Sequence, residues 1–306
     1  MTKKYFLCLC ILTVYLMPLT AQADTGGLAT APILPENQIE DSSYFNLVVH
    51  PGEKQSLQIQ LENLDNQIKT VHITPTTAFT NKNGQLDYSI SKFVPLQGPN
   101  FRELISEAQQ ITLQPHEKRV VTFLLNVPKN SFSGLVLGGF HILDESKKTT
   151  NGIQQELNYV VGVMLREDME LPKPKLNLSK VTSIDNQLAI KLENPTGALI
   201  SQYQLTGTLE SNNHSVEISP QTISAAPQDA FTLLLNTEEN LTSGNYQLNL
   251  SIKGPEKFQF HQKISVGHTT KELSVKEIAE WKYEGIILAA ILLLLSIILA
   301  RRKKHV

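Results

Sequence analysis

Ser56-Leu-Gln-Ile-Gln-Leu-Glu62 sets Leu57, Ile59 and Leu61 on one side of an extended chain and polar residues on the other. Successive side chains leave a pleated backbone on opposite faces, so this period of two predicts a strand with one buried face. Apolar or alternating runs recur at Phe45–His50, Lys69–Thr74, Val120–Val127, Leu135–Leu143 and Leu157–Leu165. Turn signals punctuate them at Pro51-Gly52, Asn63–Asn66, Asn83-Gly84 and Gln114-Pro115-His116. The pattern predicts a mainly β chain built from immunoglobulin-like sandwiches of two packed sheets.

The scheme repeats. Leu61-Glu62-Asn63 recurs 131 residues later as Leu192-Glu193-Asn194. Pro115, Leu124-Leu125-Asn126 and Ser133-Gly134 recur as Pro227, Leu234-Leu235-Asn236 and Ser243-Gly244, with an Asn-to-Asn offset of 110. The falling offset gives the first copy about 21 extra residues, which must lie within Ala78–Gln110. Leu171-Pro172-Lys173-Pro174-Lys175 is the expected join, because alternating prolines stiffen a linker and cannot continue a central strand. Two tandem domains are expected, over 34–170 and 171–268.

Both ends are apolar. Residues 1–23 carry Lys3 and Lys4, an apolar stretch, and Ala21-Gln22-Ala23, which predicts a signal peptide cleaved after Ala23. A charged stalk is expected over 269–284, then a single C-terminal transmembrane helix from Gly285 to Ala300, and a basic cytoplasmic tail over 301–306. Arg301, Arg302, Lys303 and Lys304 favour the cytoplasmic side. The apolar run spans about 24 Å against a hydrocarbon core of ~30 Å, so Trp281 and Tyr283 are expected to anchor it at the outer interface. The localisation expected from these ends is the cell membrane, single-pass, with the ectodomain on the cell-wall side.

With the six basic residues of the two ends set aside, 21 of 27 remain against all 29 acidic ones, so the region between carries about −8. That surface does not invite nucleic acid. Cys8 and Cys10 both lie in the signal peptide, so the mature protein forms no disulfide; the composition points to a Gram-positive surface protein. No catalytic constellation emerges. His116-Glu117 opens like a zinc-protease motif, but Val120 stands where the second histidine must be. Ser133-Gly134 lacks the first glycine of a nucleophile elbow, and Gly138-Gly139 lies in a strand-like run, where glycine marks a bulge or close backbone approach. No cofactor or metal is expected.

Function is sought instead in the extra segment of the first copy. Tyr88, Phe93, Phe101 and Arg102 mix rings and charge on a loop beside a rigid sandwich, a composition suited to polysaccharide: rings stack on sugar faces while Arg bonds hydroxyls and carboxylates. The alternative is that Phe93 and Phe101 simply close the open end of the core.

Val49-His50-Pro51-Gly52-Glu53, Leu61-Glu62-Asn63, Phe132–Phe140 and Tyr159-Val160-Val161-Gly162-Val163, in this order between these termini, resemble the WxL-interacting protein family of low-GC Gram-positive bacteria. The resemblance covers essentially the whole chain. It implies a first domain that binds peptidoglycan, a second that binds host extracellular matrix or partner proteins, and cooperation with surface proteins bearing a Trp-x-Leu motif. This chain lacks that motif, since Trp281 is followed by Lys282-Tyr283.

The expected function is a non-enzymatic adhesion or scaffold protein binding peptidoglycan and partner proteins. The alternative is an exported wall-modifying enzyme or its accessory subunit, which would require Asp87, Glu103, Glu107, His116 or Glu117 to converge in a cleft.

Overall fold

The computed structural model describes residues 27–150, 153–184, 187–211 and 214–267. Strands β1 (Leu28–Ile33), β3 (Lys54–Asn63) and β8 (Lys118–Asn126) form one sheet in the order β1-β3-β8. β2 (Phe45–Val48), β4 (Lys69–Thr77), β7 (Gln109–Leu113), β9 (Val136–Thr150) and β10 (Ile153–Arg166) form a second, β2-β10-β9-β4-β7. All pairings are antiparallel except that of β2 with β10. The expected alternation is realised: Leu57, Ile59 and Leu61 on β3 and Val121, Phe123 and Leu125 on β8 meet Phe140, Ile142, Val161, Val163 and Leu165 in one core. Phe140 sits at its centre, within aromatic contact of Phe45, Phe101 and Phe123.

The second sandwich pairs a sheet β11-β12-β15 with a sheet β14-β13-β16-β17. Its strands are β11 (Asn177–Ile184), β12 (Gln187–Asn194), β13 (Ile200–Ser211), β14 (His214–Ala225), β15 (Asp229–Asn236), β16 (Gly244–Lys253) and β17 (Lys257–Val266). Its core runs from Leu176 to Val266, whereas the first runs from Leu28 to Leu165. The repeated triplets hold equivalent places. Asn63 ends β3 and Asn194 ends β12, while the Leu-Leu-Asn runs end β8 and β15, their respective partners.

Two expectations are corrected. The helix expected over 285–300, with Trp281, Tyr283, Gly285, Ala300 and Arg301–Lys304, lies outside the described residues, as does the cleavage site at Ala23. Among the described residues no helix is long and apolar enough to cross a membrane. The described helix α1 (Phe101–Leu104) has four residues and rises about 6 Å, against the ~30 Å of a hydrocarbon core. The described fold is mainly β, and no described element supports the expected C-terminal transmembrane helix or the single-pass membrane placement.

Candidate functional site

The extra segment folds as a hairpin, β5 (Phe79–Thr80) with β6 (Leu86–Asp87), followed by a loop and then α1. Asn100 caps α1, its Oδ1 accepting from Arg102 N at 3.3 Å. The segment reaches both faces of β9 through adjacent glycines. A Cβ on Gly138 would lie 2.0 Å from Phe101 Cδ1, so the missing side chain admits the Phe101 ring to the core. A Cβ on Gly139 would lie 2.9 Å from Tyr88 Cδ1, so the other face admits Tyr88.

On that outer face Gly139 pairs with Gly162 of β10. Tyr44 flanks Gly162, its Cβ 3.5 Å from where a Gly162 Cβ would be. Tyr88 thus covers the buried Gly139 and Tyr44 flanks Gly162, and the two half-buried tyrosines make a ring-bearing patch on the outer face. Burial raises the pKa of both phenols, helped by Glu40 at Tyr44 and by Tyr44 at Tyr88, so both remain neutral donors. Beside Tyr44, Arg166 Nη2 donates to Asn46 Oδ1 at 2.9 Å, while its Nε–H is buried without a partner. Burial lowers the Arg166 pKa, with Tyr44 and Glu40 opposing. This half-buried cation would gain from an anionic ligand.

The hairpin tip grips the second sandwich. Gly84, at φ +68, is buried, and a Cβ there would meet Ile223 Cγ2 at 2.7 Å and Leu233 Cδ2 at 3.1 Å. Ser224 N donates to Gly84 O and Leu234 N to Lys82 O, while Thr80 N donates to Asp229 Oδ2 at 2.6 Å and Ala226 N to Thr80 Oγ1 at 2.9 Å. Elsewhere on the seam Leu135 N donates to Gly197 O at 2.7 Å, and Cβ atoms on Gly134 or Gly197 would strike the opposing backbone at 2.4 and 2.3 Å. Between these contacts lies a cleft of about 530 Å³ whose wall includes Phe93, Pro95, Phe132, Leu137 and Gln228.

The structure thus separates the four residues singled out in the sequence. Phe101 is fully buried, which corrects its expected sugar contact: the space under Gly138 is filled by its ring. Phe93 packs on Phe79 at 5.9 Å and lines the cleft. Tyr88 joins the outer-face platform, and Arg102 is exposed on α1. Tyr44 and Arg166 escaped the sequence reading because their proximity to Tyr88 depends on the β9–β10 register and the parallel pairing of β2. The carboxylates and histidine of the enzymatic alternative bond separately: Asp87 to Ser89 N, Glu103 to Asn100, His116 to Asn66 and Glu117 to Arg119. Among the described residues no group of three His, Cys, Asp or Glu could hold a metal ion.

Two sandwiches clasped by a hairpin, with a ring-lined sheet face and a cleft at the seam, define a two-domain β-sandwich binding protein. Residues 29–144 match the peptidoglycan binding domain of WxL-interacting proteins and residues 148–274 their host binding domain. The chain belongs to that family, and is a cell-surface binding protein. The two matches meet inside the β9–β10 hairpin, although β10 packs into the first core. No curated protein matches the chain. Among solved structures it is similar to the YadV chaperone (13% identity, TM-score 0.33, covering 78% of this chain and 99% of that one). It is similar also to the Escherichia coli chaperone DraB (13%, 0.30, 78% and 96%) and the Pseudomonas aeruginosa CupB2 chaperone (10%, 0.28, 72% and 97%). At those scores the likeness bears on neither function nor partner.

Proposed function

We propose that the protein is a non-catalytic scaffold of the cell surface that holds peptidoglycan on the outer face of β9 and β10 and a protein partner, host matrix or Trp-x-Leu, through its second domain. The domains are taken as 34–170 and 171–268, joined at Leu171–Lys175. The observation that carries the wall contact is the patch of Tyr88 over Gly139 and Tyr44 beside Gly162, with the half-buried guanidinium of Arg166 next to it. Rings presented on a sheet face suit a sugar face. The guanidinium suits the carboxylates of muramic acid and of the peptide stem.

Co-sedimentation of the whole chain with purified peptidoglycan tests this. Loss of one stacked ring is worth on the order of 1 kcal/mol, so Tyr44→Ala should weaken binding about fivefold. Arg166→Gln, which removes a charge-assisted bond worth about 1.5–3 kcal/mol, should weaken it tenfold or more. With a single main ionic contact, moderate salt should not abolish binding. Wild-type sedimentation by a folded Tyr44→Ala/Arg166→Gln variant would move the wall contact off this face.

A further inference from the structure

The four-stranded sheet of the second sandwich turns a polar face to solvent. The core takes Leu248, Leu250 and Ile252 from β16 and Ile264 and Val266 from β17, so the residues that alternate with them point outward. Register sets Thr208 beside Asn249 and His261 in one outward row, and Thr206 beside Ser251 and Gln259 in the next. The rows on either side end on β17 in Lys263 and Lys257, and Lys253 stands directly opposite Lys257. No large apolar side chain is exposed among the described residues of these strands. The short side chains of Thr206, Thr208 and Ser251 leave a hollow of about 240 Å³, with Asn249, Gln259 and His261 on its wall. Glu217, at its rim, belongs to β14, the far edge of the sheet from β17.

Lys253, Lys257 and Lys263 are exposed, and none enters an ion pair among the described residues. Glu256, in the turn between the first two, is held elsewhere: Tyr203 Oη donates to its Oε2 at 2.5 Å. Like charges directly opposite destabilise a ladder, so Lys253 and Lys257 carry a repulsion that an anion between them would remove. From Lys257 to Lys263 the strand covers about 20 Å. The face therefore offers cations spaced along one edge with hydroxyls and amides beside them, and no Phe, Tyr or Trp ring. A protein partner would lack an anchor there and a sugar ring would lack a platform, which leaves the protein contact of this domain to its other surfaces. Lysine acts on phosphate as a point charge and offers no planar fork for a carboxylate. A chain whose phosphates are separated by hydroxylated units matches both halves of the face. We propose that the outer face of β13, β16 and β17 binds a phosphodiester-linked polyol polymer of the cell surface, the lysines holding phosphates and the hollow taking hydroxyls. The site is separate from the wall contact on β9 and β10 and stands whether or not that contact does.

The test measures binding of the whole chain to a fluorescently labelled synthetic glycerol phosphate oligomer and, in a second arm, to heparin. Lys257→Gln/Lys263→Gln should lower affinity for the oligomer about tenfold, because charge-assisted bonds to phosphate are lost. Lys180→Gln/Lys191→Gln removes the same charge from an exposed, directly opposed pair on β11 and β12 and should leave that affinity unchanged. Thr206→Tyr, at an exposed position, fills the hollow and should weaken the oligomer several-fold. All three variants alter exposed side chains and should keep the wild-type urea midpoint. No binding of the oligomer by the wild-type chain, or equal losses in the two lysine variants, overturns the site. Oligomer binding indifferent to Thr206→Tyr overturns the role of the hollow. Heparin binding that falls in Lys257→Gln/Lys263→Gln while oligomer binding does not would give the face to a sulfated glycan instead.

Discussion

Asn63 and Asn194 show what the recurring Leu-Glu-Asn triplet is for. Each is fully buried at the end of its strand, and each amide ties two turns together. Asn63 Nδ2 donates to Gln67 O at 2.7 Å and Gln114 O at 2.9 Å; Asn194 Nδ2 donates to Ala198 O at 2.8 Å and Ala226 O at 2.9 Å. The recurrence was legible in sequence, but the role was not, because the partner carbonyls lie as far as 51 residues away. Asn194→Ala strands two buried carbonyls and should cost about 1–3 kcal/mol, read as a lower urea midpoint. Lys69 is a sharper case. It is 1% exposed and bonded at 2.6 Å to both Asp65 and Asp144. Burial alone would lower its pKa, but the bonds to the two carboxylates override that and raise it. Lys69→Met removes the buried cation that Asp65 and Asp144 share and should cost about 3–5 kcal/mol, part of which Lys69→Met/Asp144→Leu should recover. No sequence pattern distinguished this lysine from its solvated neighbours, since strand β4 carries it at its first residue, where a turn and exposure are the ordinary expectation.

At the scale of elements, the β5–β6 hairpin is the part the sequence located without explaining. Offset arithmetic placed the extra residues and Asn83-Gly84 marked their turn. Which surface the turn meets is decided by the second sandwich, and no local pattern encodes that. Asp229 exposes the physics of this contact. It is 2% exposed and accepts from Thr80 N, and burial raises its pKa although those hydrogen bonds act to lower it. A raised folded pKa means the folded chain holds a proton that the unfolded chain, ionising near the ordinary ~3.9, has released. That contribution is complete below the unfolded pKa and is lost as pH rises through the folded one. Asp229→Asn keeps an oxygen to accept from Thr80 N and removes the titration. Urea midpoints measured across a pH series should therefore fall less steeply with rising pH in Asp229→Asn than in wild type, across that window. Parallel curves would show that Asp229 titrates alike in both states.

For the whole molecule, alternation was enough to reveal two β cores, because burial of one strand face writes itself directly into period two. The seam left fainter marks, chiefly glycines whose absent side chains admit the other domain. Gly197 tests whether the seam holds the two sandwiches together. A Cβ there would lie 2.3 Å from Ser133 O, a backbone atom that cannot swing aside, while the residue itself is a loop position outside both cores. Gly197→Ala should therefore part the domains at that edge with each sandwich intact. Small-angle scattering should show a larger radius of gyration, and thermal unfolding should resolve into two transitions, because the cooperativity of two packed domains depends on the interface between them. Peptidoglycan sedimentation should persist, since the Tyr44–Tyr88 patch lies on one sheet. Wild-type scattering and a single transition at the wild-type midpoint would mean the seam yields locally and does not hold the sandwiches together.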